Sequence, residues 1–400
     1  MSTEATREVG SAVGTSRLAS RVRSVPASGI RKFFDVIATM PDVISLGVGE
    51  PDFTTPSRIV QAGVRSLEGG RTHYTSNSGT LELRRAIAGE MASRFGVRYD
   101  PATEIVVTVG GSEAVADTML ALLEPGDEVI LHDPSYVAYL PAIVFAGGTC
   151  VPVPTRAADG FALDPDEVER RVTPRTRVLF LGYPCNPTGA ALPPDVLRAL
   201  ADIAIRHNLV VVSDEIYARL VYSGHRHEPI ASLPGMRERS VTIGGFSKAY
   251  AMTGWRLGFA CAPKELIDGL MKIHQYAIMC APTTAQDAAV VALRECEDDV
   301  QGMLAEYDRR RRMFVDGLNR IGLPTVEPRG AFYAFPDIRG TGLTSDEFSE
   351  RLLFDEHVAV VPGDAFGEAG AGHVRACYAT SYEQLEEALV RIKRFVGRRG

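Results

Sequence analysis

The sequence has 400 residues, a net charge of −7 at pH 7 and a hydrophobic fraction of 45%. A chain of this length can bury a large core and can form two domains, or one large and one small. The negative charge, with no interleaving of basic and aromatic residues, argues against nucleic-acid binding. No apolar run reaches the length of a membrane-spanning helix, so no membrane partner is expected.

The six cysteines are scattered along the chain and include no CxxC pair. Such usage is typical of reduced thiols and predicts a cytoplasmic protein. The N-terminal segment, residues 1 to about 24, mixes charged and small residues and lacks the apolar stretch of a signal peptide.

The first chemically suggestive element is a strand followed by glycines. Residues 105–109 (Ile-Val-Val-Thr-Val) predict a strand, and Gly110-Gly111-Ser112 predicts a tight turn into a helix. Free amides at the start of a helix bind anions. The alternative is that the glycines serve backbone geometry alone.

Two further apolar runs each deliver a polar side chain at the carboxyl end of a predicted strand. Residues 178–181 precede Asn186, whose side-chain amide can donate a hydrogen bond to a phenolate oxygen of a ligand. Residues 210–212 precede Asp214 and Tyr217. Ligands of open α/β sheets bind at these strand ends. For Asn186 the alternative is an ordinary Asn-Pro turn.

Lys248 lies in a glycine-rich, otherwise uncharged stretch, with Arg256 eight residues later. A lysine held in apolar surroundings loses hydration of its ammonium group and becomes available as a nucleophile that can form a Schiff base. A buried aspartate such as Asp214 needs a cation, and the protonated ring nitrogen of pyridoxal phosphate is one. Lys248 and Asp214 together therefore suggest this cofactor. The alternative is that Lys248 only caps a helix or extends from a strand end to solvent.

Residues 57–292 alternate short apolar runs with helical patterns, which predicts a mostly parallel α/β sheet with helices on both faces. From about residue 300 a long helix is predicted, ending near Gly322, and a last helix covers residues 382 to about 396. We therefore expect a large cofactor-binding domain at residues 56–295 and a smaller α+β domain at residues 296–400.

A set of motifs from about residue 43 to the C-terminus resembles the class I/II aminotransferases of the pyridoxal-phosphate fold type I superfamily. The subgroup that looks most similar includes aspartate, aromatic and N-acetyl-diaminopimelate aminotransferases. The motifs are Leu46-Gly47-Val48-Gly49-Glu50-Pro51-Asp52-Phe53, His73-Tyr74-Thr75, Asn186-Pro187-Thr188-Gly189, Asp214-Glu215-Ile216-Tyr217, Ser247-Lys248, Gly254-Trp255-Arg256, Gly330-Ala331-Phe332-Tyr333 and Val374-Arg375.

The resemblance implies a pyridoxal 5′-phosphate-dependent aminotransferase that passes an amino group from an L-amino acid to a 2-oxo acid such as 2-oxoglutarate by a ping-pong mechanism. Lys248 would form the Schiff base and shuttle a proton, Asp214 would keep the ring nitrogen protonated, and Tyr217 with Asn186 would hold the ring oxygen. Tyr136 would stack on the ring, while Arg375, the amide of Gly49 and Asn186 would bind the substrate. The phosphate would be held by Gly111, Ser112, Glu113, Ser247, Arg256 and Tyr74 of the partner subunit.

The resemblance also implies a homodimer and places residues 1–55 as an N-terminal arm that completes the small domain. Three departures concern the ligands. Gly245 stands where many members carry a hydroxyl, so that one phosphate contact would be missing or replaced by Ser247, and Tyr136 replaces the tryptophan common in enzymes for acidic substrates. No arginine is evident for a substrate side-chain carboxylate, and we hypothesise that Arg31 or Lys32 supplies that cation.

Other functions and sites are carried as alternatives. The same lysine and cofactor would serve a lyase or decarboxylase of this fold, and a cofactor-sensing regulator would need a DNA-binding domain for which the N-terminus leaves no room. No metal site is predicted, because His225 and His227 stand in a polar turn without further ligands and are read as a solvated loop. The arginine run 309–312 is read as an exposed helix face.

Overall fold

A central seven-stranded sheet forms the body of the protein in the computed structural model, which describes residues 17–26, 40 and 42–398. The strands of the described chain are β1 Ile44–Ser45, β2 Ile105–Thr108, β3 Glu128–Asp133, β4 Thr149–Pro154, β5 Thr176–Leu181, β6 Val210–Asp214, β7 Ser240–Gly245, β8 Gly258–Cys261, β9 Tyr333–Ala334, β10 Val358–Ala359, β11 Val361–Pro362 and β12 Val374–Cys377. The large sheet has the order β2-β8-β7-β6-β5-β3-β4, and only β8 runs antiparallel to its neighbours. The mostly parallel sheet predicted from the sequence is thus confirmed.

The α-helices cover both faces of this sheet and build the remainder of the described chain. They are α1 Ser20–Arg23, α2 Ser57–Glu68, α3 Leu81–Phe95, α4 Gly110–Leu122, α5 Tyr139–Phe145, α6 Pro165–Arg171, α7 Pro194–Arg206, α8 Lys264–Ala277, α9 Thr283–Glu295, α10 Glu297–Ile321, α11 Ser345–Glu356 and α12 Tyr382–Gly397. Strands β2, β3 and β6 are buried almost throughout, as expected for parallel strands with helices on both sides. None of the described helices is long and apolar enough to cross a membrane.

The C-terminal part of the chain forms two small sheets. Strands β11, β12 and β9 form an antiparallel sheet, and β1 pairs in parallel with β10. Residues 44–45 therefore join the C-terminal region and lie far in sequence from their strand partner. The long helix α10 ends at Gly322, whose φ of 93° is the left-handed conformation that glycine adopts readily.

The arginine run 309–312 lies on α10, and the reading of it as an exposed face is wrong for two of its members. Arg310 and Arg311 are buried, with 6% and 1% exposure. Arg310 binds both carboxylate oxygens of Asp52 at 2.8 and 2.9 Å, and Arg311 pairs with Glu327 at 2.5 Å. Buried guanidinium groups are tolerated because acidic partners supply compensating charge. One of these partners, Asp52, lies far from α10 in the sequence.

The HxH turn behaves partly as expected. His225 is exposed, but the ring of His227 is largely buried and its Nε2 lies 3.0 Å from Glu215 Oε2. Neither histidine belongs to a cluster of metal-ligating side chains in the described part of the chain.

Candidate active site

A cavity of about 670 Å³ opens at the carboxyl ends of the parallel strands, between the large sheet and the C-terminal region. Its wall includes eleven of the residues predicted from the sequence to form the site. They are Gly49, Gly111, Ser112, Tyr136, Asn186, Asp214, Tyr217, Ser247, Lys248, Arg256 and Arg375.

Lys248 follows the end of β7 by three residues and projects into the cavity. Its Nζ donates to the carbonyl oxygen of Gly49 at 2.6 Å. Burial disfavours the charged ammonium and lowers the pKa of Lys248 to about 8. The lowered pKa increases the unprotonated fraction of this amine near neutral pH, and the unprotonated amine is the form that a nucleophile requires.

Asp214 ends β6 on the floor of the cavity. Its Oδ2 accepts from the hydroxyl of Tyr139 at 2.8 Å, and its Oδ1 accepts from the amide of Ile216 at 3.1 Å. Burial raises the pKa of Asp214 to about 6, and the two hydrogen bonds only partly offset it. A buried carboxylate in this position would be stabilised by a cation in the cavity.

Arg375, on β12, is held on the C-terminal side of the cavity between the rings of Tyr333 and Phe366, whose centroids lie 4.7 and 4.8 Å from its guanidinium carbon. Its Nη1 donates to Asn186 Oδ1 at 2.9 Å, and its Nη2 donates to the carbonyl of Gly47 at 2.6 Å. Its Nε is buried without a hydrogen-bond partner. A planar guanidinium fixed on two faces with a donor left free is suited to a substrate carboxylate.

The hydroxyls of Tyr217 and Tyr333 form a hydrogen bond at 2.7 Å, next to this arginine. Both side chains are buried, and burial raises the pKa of Tyr217 well above its usual value. Tyr217 is therefore a neutral phenol that can donate one hydrogen bond.

The opposite end of the cavity is built for an anion. Gly111 and Ser112 lie in the first turn of α4, where amide groups have no partner within the helix. The Arg256 guanidinium lies so close to Gly110 that a Cβ on this glycine would stand 2.6 Å from Nη2. The start of α4 and the Arg256 guanidinium thus line the same end of the cavity, and Ser247 also borders the cavity.

Position 245, where many resembling sequences carry a hydroxyl, is closely packed, so a side chain there would require its neighbours to shift. A Cβ on Gly245 would meet Ile216 Cδ1 at 2.7 Å and the carbonyl oxygen of Leu257 at 3.2 Å. Ser247 borders the cavity and offers a hydroxyl there.

Two predicted residues do not line the cavity. The carboxylate of Glu113 turns toward α8, where Oε1 lies 2.5 Å from His274 Nδ1, and its other oxygen accepts from the amide of Val109. Tyr74 is 81% exposed on the surface of its own chain. Arg31 and Lys32 lie outside the described residues.

Sequence reasoning missed two side chains that touch the predicted ones. Tyr139, at the start of the short helix α5, donates to Asp214. In the sequence, the one feature that pointed to Tyr139 was its position three residues after Tyr136. Tyr333 stood in a quoted motif without a role, and its contacts with Tyr217 and Arg375 depend on the packing of β9 against β12.

Comparison with known proteins places this geometry in a family. Residues 41–392 match the family described as aminotransferase class I and II. The chain is 50% identical to YugH of Bacillus subtilis, which is named as an aminotransferase, with 96% of this chain and 99% of the relative covered. It is 48% identical to an aspartate aminotransferase of Pyrococcus abyssi, with 94% and 97% covered.

The solved structures agree. An aromatic aminotransferase from Pyrococcus horikoshii superposes with a TM-score of 0.88 at 48% identity, and the alignment covers 92% of this chain and 99% of that one.

Proposed function

Because this chain belongs to the aminotransferase class I and II family and is a pyridoxal-phosphate-dependent aminotransferase, we propose that the cavity at the strand ends is its active site. The lining residues take the roles expected from their motifs. The observation that carries the proposal is the convergence in one cavity of a lysine with lowered pKa, a buried aspartate and an arginine with a free buried donor.

The residues present fit pyridoxal phosphate. The helix start at Gly111 and Ser112 with Arg256 matches a phosphate. Asp214, which has a raised pKa and pairs with no cationic side chain among the described residues, matches a protonated ring nitrogen, and Tyr217 with Asn186 supplies donors for a ring oxygen. Tyr136 borders the space between these groups and offers a ring face for stacking.

The side chains of the cavity then have distinct roles in transamination. The cofactor supplies an aldehyde and an electron-withdrawing ring. Arg375 holds the substrate carboxylate and fixes the α-carbon, while the backbone amide of Gly49 binds the same carboxylate. Lys248 Nζ, released from the Gly49 carbonyl, is the base that moves the proton at the α-carbon. Asp214 keeps a proton on the ring nitrogen.

The described part of the cavity favours donors with uncharged side chains, such as aromatic amino acids. Its lining cations are Lys248, Arg256 and Arg375, each with a proposed role, and the lining acid Glu50 would repel a second carboxylate. The relatives include aspartate and aromatic enzymes, and an acidic donor such as aspartate would require Arg31 or Lys32 to supply the cation for its side-chain carboxylate.

The test is a half-reaction in which the loaded enzyme meets one amino acid at a time without any 2-oxo acid, and the absorbance change to the pyridoxamine form is followed. We expect conversion with phenylalanine faster than with aspartate. Pyruvate and ammonia formed from a suitable donor without an acceptor would instead support the lyase alternative, which the relatives do not favour.

Arg31→Ala and Lys32→Ala test the source of a distal cation. If either residue binds a side-chain carboxylate, kcat/KM for aspartate falls by about tenfold or more while that for phenylalanine is kept, since one charge-assisted hydrogen bond contributes about 1.5–3 kcal/mol. Unchanged aspartate kinetics in both variants would remove this hypothesis, and Lys264→Ala, on the exposed surface of α8, is the control.

A homodimer is part of the proposal. Tyr74 is 81% exposed and Tyr276 is 87% exposed, and Ile278 and Met279 add apolar surface beside the segment that carries Tyr74, since Asn77 Nδ2 donates to the Met279 carbonyl. An exposed apolar patch of this kind fits a subunit interface, from which Tyr74 would reach the phosphate of the partner's cavity.

Tyr74→Phe is expected to weaken cofactor binding about tenfold, because one hydrogen bond to a charged oxygen is lost, and to leave the dimer intact in sedimentation. The control is Tyr276→Phe. Hybrid dimers of Tyr74→Phe chains with Lys248→Ala chains separate the two geometries: a site with wild-type cofactor affinity forms only if Tyr74 acts across the interface. A fully active monomer would contradict the dimer.

The domain division into 1–55, 56–295 and 296–400 stays part of the proposal, and the pairing of β1 with β10 supports the assignment of residues 44–45 to the small domain. All six cysteines are free, in keeping with the predicted cytoplasmic location.

A further inference from the structure

A buried cluster behind the first turn of α4 lies outside the cavity and has no role in the steps above. His274, on α8, is fully buried. Its Nδ1 lies 2.5 Å from Glu113 Oε1, and its Nε2 lies 2.9 Å from the carbonyl oxygen of Asn77. The cluster therefore connects the anion-binding turn to the segment that carries Tyr74.

The partners of the ring define its protonation. The carbonyl of Asn77 can only accept, so Nε2 carries a hydrogen. Nδ1 faces a carboxylate whose other oxygen already accepts from the Val109 amide. Burial alone would lower the pKa of His274, but the bonds to Glu113 and Asn77 outweigh it and raise the pKa. A ring that donates on both sides is an imidazolium.

Asp117 completes the cluster, one helical turn after Glu113, and its Oδ2 is buried without a partner. Three such groups could in principle hold a metal ion. The geometry speaks against one, because ligands about 2.0–2.1 Å from a tetrahedral ion lie roughly 3.3 Å apart, whereas Nδ1 and Oε1 are 2.5 Å apart. That separation is a hydrogen bond. Burial, with the nearby Glu113, raises the pKa of Asp117 to about 7.

We propose that His274 is a positioning residue of the phosphate-binding turn, an imidazolium that neutralises Glu113 and ties this turn to residues 73–80. The proposal deepens the proposed function and rests on it for the identity of the bound phosphate.

The charge balance explains why the turn needs such a partner. Glu113 binds the Val109 amide and so steadies the start of α4, while Gly111 and Ser112 keep their amides for the ligand. An unpaired carboxylate directly after Ser112 would repel a bound phosphate. Pairing with His274 neutralises the Glu113 carboxylate and keeps its bond to Val109.

The first experiment reads the charge directly. Nitrogen-15 NMR of histidine-labelled protein, at pH 8 and both without and with cofactor, should show both ring nitrogens of His274 protonated, with His274→Gln for assignment. A neutral tautomer of His274 would overturn the proposal, as would metal analysis that finds one tightly bound ion per chain. This result does not depend on aminotransferase activity.

The second experiment is a double-mutant cycle that measures the cofactor Kd of His274→Gln, Glu113→Gln and the double variant. His274→Gln should raise the cofactor Kd by about tenfold or more, and the double variant should recover to within about threefold of wild type, because the uncompensated charge is gone. The phosphorus-31 shift of bound cofactor should change in His274→Gln and return in the double variant. If the losses of cofactor affinity in the two single variants add up in the double variant, the Glu113–His274 pair contributes through packing and not through charge compensation.

His207→Gln is the matched control, because His207 forms a pair with Glu169 at 2.5 Å on the surface. It should leave the cofactor Kd unchanged. A wild-type protein that bound no cofactor would contradict the proposed function itself. If the wild-type protein binds cofactor and the cofactor Kd is the same in all three variants, only the role of His274 is contradicted.

Discussion

Replacing Lys248 with alanine is expected to reduce turnover by at least about 10³-fold, the scale on which a positioned acid–base group contributes. The variant loses both the amine that bonds to the cofactor aldehyde and the base that moves the α-proton. It should still bind cofactor, because Gly111, Ser112, Arg256 and Asp214 are untouched, but without the absorbance band of the lysine-bound form.

Lys248→Arg separates charge from nucleophilicity. It keeps a cation in the cavity but a guanidinium does not deprotonate at working pH, so activity should stay as low as in the alanine variant. Lys264→Ala, a lysine exposed on α8 and paired with Asp268, should behave as wild type. Turnover retained in Lys248→Ala would show that the nucleophile is elsewhere.

The proposed active-site residues were predictable where strand ends converge. Asn186 follows β5 and Asp214 ends the neighbouring parallel strand β6, and the carboxyl ends of such strands meet at one edge of a sheet. Lys248 follows β7, the next strand in the sheet. A pattern of apolar runs with a polar residue after each is therefore enough to bring these three together, and the structure places all of them in one cavity.

Arg375 could be placed only through its motif, because no periodicity in the sequence says that β12 faces the strand ends of another sheet. The side chains around it illustrate the limit. Tyr333 and Phe366 clamp its guanidinium from two segments that pattern reasoning reads as ordinary apolar residues.

Long-range polar pairs were beyond sequence reasoning for the same reason. Glu113 and His274 are 161 residues apart, and Arg310 and Asp52 are 258 apart. Nothing local distinguishes Arg310 from its exposed neighbour Arg309. Burial of such charges depends on which loops pack against the helix, and that information appears only in the assembled fold.

Asp214→Asn is the second change with a large expected effect. The asparagine keeps the size of the side chain and can still accept from the Tyr139 hydroxyl, but it carries no charge to hold a proton on the ring nitrogen. We expect kcat to fall by about 10²-fold or more, as when one preorganised electrostatic partner is removed. Cofactor affinity should fall by about 2 kcal/mol, roughly thirtyfold in Kd, because a buried cation loses its partner.

The matched control for this change is Asp133→Asn. Asp133 is also a buried aspartate at the carboxyl end of a parallel strand, β3, and burial raises its pKa as it does that of Asp214. It binds the amide of Ala369 at 3.2 Å and does not line the cavity. Loss of a buried carboxylate as such would impair both variants equally, whereas a role at the ring nitrogen impairs Asp214→Asn alone and shifts the absorbance of its bound cofactor. Full activity in Asp214→Asn would contradict that role, because the carboxylate charge would then be dispensable.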